Sequence, residues 1–160
     1  MKCPECGQIM KRGVRDHRYV ESGLSNVILK KIPVYECPCG NEIAEIPAIE
    51  RLHQKIAEIL FRKPALLTGE EIRFLRKEME LKAVELAHLL GVNKVTVSRW
   101  ENSATHIGVI SDRLIRLLYL GFLEKKGRLS KEDILRVIES IKDRPQKIKI
   151  EVSQKDLVAA

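Results

Sequence analysis

The four cysteines of this chain fall in two tight pairs, Cys3-Pro4-Glu5-Cys6-Gly7 and Cys37-Pro38-Cys39-Gly40. Paired thiolates are what a tetrahedral zinc ion takes as ligands. In a reducing compartment such pairs are more often metal ligands than disulfides, so Cys3, Cys6, Cys37 and Cys39 are the expected ligands of one structural Zn2+. The first pair is a complete knuckle, with proline opening the turn and glycine tolerating its end. The second is one residue short, and the intervening Pro38 has no N–H to give to sulfur, which makes a tighter bite. The competing reading is a reduced or disulfide-linked remnant without metal. His17 and His53 are read as ordinary polar residues rather than ligands.

Enzymatic uses of these groups fail on context. A redox dithiol acts at the start of a helix after a strand, where the dipole lowers a thiol pKa, and only Met1 and Lys2 precede Cys3. A zinc deaminase needs H-x-E ahead of P-C-x-x-C, and none of the four histidines has a glutamate two residues on. His53 follows Glu50 by three residues, but Ile49 stands where the H-E-x-x-H of a metalloprotease helix needs its first histidine. The chain is expected not to be an enzyme.

A second chemistry sits in Leu89 to Asn102, LLGVNKVTVSRWEN. Wound as a helix, Val97 and Trp100 share one side, while Val95 and Arg99 lie a turn apart on the other, flanked by Thr96, Ser98 and Asn102. That outward face offers hydrogen-bonding and methyl groups rather than the long acids of a merely solvated surface. Arg99 can fork onto O6 and N7 of guanine, and Val95 or Thr96 can present a methyl to thymine. Lys94, at the amino end, reaches a base edge or a phosphate. The second helix of a helix-turn-helix enters the major groove in this way; the competing reading is a helical hairpin used only for packing.

The elements that must position these groups follow from local pattern. SNVILKKIPVYEC is rich in β-branched residues and follows the turn-like ESGLS, which reads as a hairpin between the cysteine pairs. A segment of about 45 residues buries little core, so a metal would staple it. PAIERLHQKIAEILF places Ile49, Leu52, Ile56, Ile59 and Leu60 on one helical stripe, with Pro47 suited to its first turn. Pro64 and Gly69 punctuate a linker at 62–68. From Thr68 a capping box, T-G-E-E, opens a helix with Ile72, Leu75 and Met79 inward. A second helix turns Ala83, Leu86, Ala87 and Leu90 inward and stops at Gly91, and Asn93 caps the third. Leu114, Leu117 and Leu118 follow, which with the apolar stripe after Ser130 are candidate dimer-interface positions. Beyond them, SKEDILRVIESI carries Ile134, Val137, Ile138 and Ile141 on one face, before a strand-like KIKIEV.

The fold class expected is α+β: a small N-terminal zinc-knuckle β module with its trailing helix (1–61), the linker (62–68), an all-α helix-turn-helix domain (69–123) and a C-terminal, helical extension (124–160) that is a candidate for dimerisation. At 160 residues, with 44% apolar and 32% charged residues, the chain has the composition of a globular protein. No apolar run approaches the ~18 residues of a membrane span, and the start MKCPECG lacks a secretory apolar stretch; a cytoplasmic location is expected, with no membrane partner. The net charge of +7 favours anionic partners.

Residues 68 to 123, above all LKAVELAHLLGVNKVTVSRWEN, resemble the Xre/Cro-type helix-turn-helix, whose usual form runs L-T-x-x-E-L-A-x-L-L-G-V-S-x-x-T-I-S-R-W-E-N. The resemblance implies base reading at Lys94, Val95 and Arg99 and backbone contacts at Asn93, Thr96 and Asn102. Ala83 departs from it, standing where the family often has a phosphate-contacting glutamine; Lys82 is the candidate anchor in its place. The cysteine module is similar to the YgiT-type zinc finger of MqsA-type antitoxins, so the resemblance extends to about residue 123. It implies a two-domain antitoxin whose zinc module binds a toxin, usually an mRNA-cleaving ribonuclease. The helix-turn-helix would then repress its own operon as a homodimer on a pseudo-palindromic double-stranded DNA operator. The shortened second knuckle departs from the usual C-x-x-C. The alternative is a stand-alone Xre-type regulator whose module binds another partner or ligand. An RNA- or ribosome-binding zinc ribbon would concentrate basic residues near the knuckles, whereas here they are spread along the chain.

Overall fold

The computed structural model describes residues 1–124 and 140–158. Strands β1 (Lys11–Arg18) and β2 (Val27–Glu36) form the expected hairpin, antiparallel from Lys11↔Glu36 to Arg18↔Ile28. The register slips between Arg15 and His17. There Lys31 takes a positive φ of 52°, and Asp16 accepts from the Lys31 amide at 3.1 Å and from Lys30 Nζ at 2.8 Å. β3 (Glu42–Ala44) pairs with the end of β2. Val27, Leu29, Ile32 and Val34 of β2 are buried, whereas nearly all of β1 is exposed. β2 is thus the core strand and β1 an outer edge.

Helix α1 (Ile49–Arg62) buries Leu52, Ile56, Ala57, Leu60 and Phe61. Of the expected stripe, Ile59 is partly buried against the core, but Ile49 is exposed. The helix starts later than Pro47 suggests, because its N-cap is Ala48, in the left-handed region at φ 52°. The next elements are the short β4 (Ala65–Leu66), α2 (Gly69–Glu78), α3 (Ala83–Leu90), α4 (Lys94–Glu101) and α5 (Val109–Glu124). The capping box expected at α2 is present, its Glu71 arm the better defined, with the Thr68 amide donating to Glu71 Oε2 at 2.7 Å.

The C-terminal extension returns to the start of the chain. Ile134, Val137 and Ile138, expected on a helix, lie outside the described residues. After Ile141, which is buried, β5 (Lys142–Pro145) pairs with β4, and β6 (Ile150–Ser153) pairs parallel with β2 from Val27↔Ile150 to Lys30↔Ser153. The short α6 (Gln154–Val158) follows. The alternation in KIKIEV does become strand: Ile150 and Val152 are buried, Glu151 exposed. Ile150, Val152 and Leu157 join one continuous core that runs from Tyr19 in the sheet through α1 to Trp100 and Leu123.

The segment 62–68, expected as a linker, is packed rather than free: Lys63, Ala65, Leu66 and Leu67 are all buried. The cause is Arg116 of α5, itself wholly buried. Its Nε donates to Asp112 Oδ2 at 2.7 Å, its Nη1 to the carbonyls of Leu60 (3.1 Å), Phe61 (2.6 Å) and Lys63 (3.0 Å), and its Nη2 to that of Ala65 (2.7 Å). The last carbonyls of α1, orphaned by the end of the helix, thereby find donors. Asp112 Oδ1 accepts from the Leu67 amide at 2.7 Å, and Lys63 Nζ bonds Glu71 Oε2 at 2.7 Å and the Leu66 carbonyl at 3.0 Å. Burial, the largest influence, lowers the Lys63 pKa despite the opposing pull of Glu71.

Truncating Arg116 would leave several buried carbonyls and the Asp112 carboxylate without their donor. Breaking a buried, hydrogen-bonded pair from one side costs about 3–5 kcal/mol. Arg116→Ala is therefore expected to lower the unfolding free energy in urea by that amount or to prevent folding, with Arg116→Lys recovering little because an ammonium cannot span the same set of oxygens. A stability change under 1 kcal/mol would refute this account of the junction.

Candidate functional site

The two cysteine turns are built alike. Cys3 N donates to Gln8 O at 2.8 Å and Gly7 N to Cys3 O at 2.9 Å; Cys37 N donates to Asn41 O at 2.9 Å and Gly40 N to Cys37 O at 2.9 Å. Each turn needs a glycine at its end, Gly7 at φ 74° and Gly40 at φ 91°. The hairpin carries the turns to the same end of the sheet, where all four sulfurs lie within 4.8 Å of one another. Cys3 Sγ is 3.7 Å from Cys39 Sγ, and Cys6 Sγ is 3.3 Å from Cys37 Sγ. A tetrahedral Zn–S bond of about 2.3 Å sets an edge of about 3.8 Å, so the four fit a metal ion. A disulfide would need about 2.05 Å, and all four thiols are free. Despite its missing residue, the Cys37-Pro38-Cys39 turn delivers both sulfurs.

Cys3 and Cys37 are buried, and Cys6 and Cys39 face solvent. Burial pushes the Cys3 thiol up, but the amides of Cys6 and Glu5 and the Asn41 side chain outweigh it, and its pKa falls to about 6. Cys37 is raised to about 12, because burial and the three neighbouring sulfurs overcome the Cys39 amide that favours its thiolate. The cluster resists filling with negative charge on its own, which is the electrostatic condition a divalent cation relieves. His17, bonded to Glu42 at 3.1 Å, and His53, between Glu78 (2.8 Å) and Tyr19 (3.0 Å), stand apart from this group.

The second site is the pair α3–α4. α3 ends at Gly91, and Asn93 Oδ1 accepts from Val95 N at 2.9 Å to cap α4. Val97 and Trp100 are buried, while Lys94, Val95, Ser98, Arg99 and Asn102 are exposed and Thr96 is half-buried. At about 100° per residue, Val95, Ser98, Arg99 and Asn102 fall within about 60° of a single direction. Lys82 is exposed at the N-cap of α3, its amide held by Glu85 at 2.6 Å. Four of the expected contact residues, Val95, Ser98, Arg99 and Asn102, thus share one exposed face of α4, with Asn93 and Lys94 at its amino end, Thr96 to one side and Lys82 on α3.

The sequence reading missed the groups that seat this helix. Glu101, buried at the end of α4, accepts from Arg76 Nε at 2.6 Å, Arg76 Nη2 at 3.0 Å and Arg73 Nε at 3.3 Å. Arg76 also donates to Leu81 O at 2.8 Å, tying the α2–α3 turn into the same node. Arg73 Nη2 reaches Asn102 Oδ1 at 2.7 Å. The signal was available: Glu101 follows the buried Trp100, and Arg73 and Arg76 are one turn apart on α2. The N-terminus of α2 approaches so closely that a Cβ at Gly69 would lie 2.3 Å from Trp100 O and 2.8 Å from Glu101 O.

A four-cysteine candidate metal centre on a small sheet, joined to a capped helix–turn–helix pair, defines an α+β protein of the metal-knuckle, helix-turn-helix class. The family model described as the antitoxin component of the bacterial toxin-antitoxin system, MqsA, matches residues 1–132, both sites included. The chain belongs to that antitoxin family. No curated protein and no solved structure gives a match. β5, β6 and α6 lie beyond the matched residues.

Because the buried Glu101 carboxylate holds the largely buried Arg76 and the more exposed Arg73, Glu101→Ala should destabilise the helical half by about 1–3 kcal/mol. Trp100 is the sole tryptophan, so its fluorescence during denaturation reports the loss directly. An unchanged midpoint would show that the node does not seat α4.

Proposed function

We propose that this antitoxin is a sequence-specific DNA-binding repressor that controls its own operon as a homodimer, with one structural Zn2+ held by Cys3, Cys6, Cys37 and Cys39. The observation that carries this is the outward face of α4, which is solvent-exposed, free of acids and centred on Val95 and Arg99. In the major groove, Arg99 would fork onto guanine and Val95 meet a thymine methyl. Lys94 adds a base or phosphate contact at the amino end, Asn93 and Thr96 face the backbone, and Lys82 anchors a phosphate from the start of α3. One such helix reads only a few base pairs, so two copies on successive major grooves about 34 Å apart would supply the affinity. On α5, Ile110, Leu114 and Leu117 stay exposed at intervals of four and three residues, an apolar stripe suited to that pairing. Soft sulfur ligands in a tetrahedron favour zinc. When bound, the ion would hold the two knuckles together; Asn41 Nδ2, 3.6 Å from Cys3 Sγ, would support a thiolate there. The N-terminal module is the surface proposed to take the ribonuclease toxin, and the cytoplasm is the proposed compartment. No helix among the described residues is long and apolar enough to cross a membrane.

Elemental analysis of protein purified without chelator should find one zinc per chain, and metal-free protein with four titratable thiols would refute the metal assignment. Arg99→Ala should cost roughly 1–3 kcal/mol in operator binding and relax preference at one position per half-site. Lys82→Ala should weaken all sequences about equally and flatten the salt dependence by about one phosphate. Titrations against operator variants at two salt concentrations separate the two. An Arg99→Ala protein with full affinity and full preference would remove α4 from base reading.

A further inference from the structure

Strand β1 has β2 on one side, and beyond Met10 no strand among the described residues pairs with its other side. Its bonds show which backbone groups that free edge presents. The Tyr19 amide donates to Val27 O at 3.1 Å, so Tyr19, and with it His17 two residues back, turns its backbone groups toward β2. Pro33 O accepts from the Glu45 amide at 2.9 Å, on the β3 side. A residue of an antiparallel pair carries its N–H and C=O on one side, so Val14, opposite Pro33, turns both outward. Lys31 N is bonded at 3.1 Å by the Asp16 carboxylate, in keeping with an Asp16 main chain that faces away from β2. Alternation therefore puts the backbone groups of Arg12, Val14 and Asp16 on the free edge. Met1 O accepts from Met10 N at 3.0 Å and closes the edge at that end. The side chains of the same three residues share one face of the sheet, where Val14 stands 64% exposed between Arg12 and Asp16.

We propose that the edge of β1 pairs with β1 of a second copy, antiparallel about a two-fold axis at Val14, so that two sheets become one. The argument is self-complementarity. In that register Val14 meets Val14, and Arg12 of each copy lies directly across from Asp16 of the other, an opposite-charge pair. The outward backbone groups belong to these same residues, so each pair closes two N–H···O=C bonds. Gly13 leaves room for Arg15 of the other copy on the opposite face. Other registers fail: sliding one way sets Arg12 against Arg18 or Asp16 against Asp16, and sliding the other runs into Met1. Charged side chains ordinarily protect an edge strand from such pairing; Asp16 placed four residues after Arg12 turns protection into a match. Arg12 is available for it, since its ion pair with Glu45 is long, at 3.6 Å, and exposed. The inference is independent of the DNA-binding reading and adds a second self-contact to the one proposed on α5. With two different two-fold contacts, dimers can join further.

Sedimentation of full-length protein over a concentration series, at low and high salt, separates the two contacts. Wild type should pass beyond a dimer as concentration rises, and less readily at high salt because the Arg12–Asp16 pairs are exposed. Val14→Pro removes an outward N–H and spares the ladder to β2, as proline on an edge strand can. It should weaken the second association at least about tenfold by loss of the central bonds and so stop at a dimer. Arg12→Glu, which sets like charges across both outer pairs, should do the same. Leu117→Glu, aimed at α5, should leave a dimer that Val14→Pro in the same chain reduces to a monomer. Trp100 fluorescence checks folding, and Arg12→Glu, a change on an exposed side chain, keeps the test open if Val14→Pro does not fold. If both β1 variants match wild type at every concentration, β1 pairing is wrong. If wild type stops at a dimer and Leu117→Glu is a monomer, the α5 contact stands and the edge is left to a strand of another protein. If instead the wild-type dimer is lost with Val14→Pro and kept with Leu117→Glu, β1 pairing stands and the α5 contact falls.

Discussion

The structure turns on one guanidinium. Arg116 is taken wholly out of water, and a lone cation there would be intolerable; it persists because Asp112 balances its charge and four backbone carbonyls use its remaining donors. Those carbonyls belong to the end of α1 and the segment after it, while Arg116 belongs to α5. A side chain of the helical half therefore terminates the helix of the sheet half. Lys63 and Glu71 add a second buried pair beside it, so two cations and two anions close the junction as a neutral set. The segment between the halves cannot swing without exposing charge or stranding backbone.

From that junction the rest follows outward. With α1 fixed, its apolar face receives β2, and with α2 fixed by Glu71 at its first turn, the closest approach at Gly69 sets where α4 ends. The C-terminal extension reinforces the same seam. Lys147 bonds Ser25 Oγ at 2.7 Å and Glu70 Oε2 at 3.3 Å, and Glu70 also takes the Ser25 amide at 3.2 Å. Burial would raise the Glu70 pKa, yet these donors hold it below the usual carboxylate range. A turn of the sheet half, the first turn of α2 and the tail thus meet at one carboxylate. A partner seated on the sheet would press on a body continuous with α4 rather than on a tethered bead.

What the sequence disclosed was what is local. Knuckle spacing, the β-branched run of β2, the caps at Thr68, Gly91 and Asn93 and the inward faces of α2 to α4 all depend on neighbours within a few residues, and chain-local physics decides them. The junction does not work that way. Arg116 sits in an apolar run where Leu114, Leu117 and Leu118 draw the eye, and nothing nearby says that a charge will be buried to serve carbonyls some fifty residues earlier. The pairing of β6 with β2 spans more than a hundred residues, which alternation alone can suggest as strand but not place. Segment 62–68 looked like a linker because Pro64 and Gly69 punctuate it; the same residues serve a packed turn, since proline and glycine mark where a chain bends, not whether the bend is exposed. Asn102 could be put on the helix face from periodicity, but its bond to Arg73 needed α2 in place.

The position of the cysteines relative to this core changes what a metal has to do. The case for a staple began from a segment too small to fold alone, but the sheet is not alone: Val27, Leu29, Ile32 and Val34 belong to the core shared with α1 and the helical half. The cysteines belong to a separate, smaller cluster in which Cys3, Met10 and Cys37 pack with Tyr35 and Ile43. An ion there would order the two knuckles and the open end of the hairpin, not the whole sheet. The knuckle end is also where β1 stands exposed as an outer strand, with Arg12 and Arg15 held over it by Glu45, Glu36 and Glu42. A metal bound there would thus couple to the fold through the open end of the hairpin, and the surface it would shape is the one at that end of the sheet.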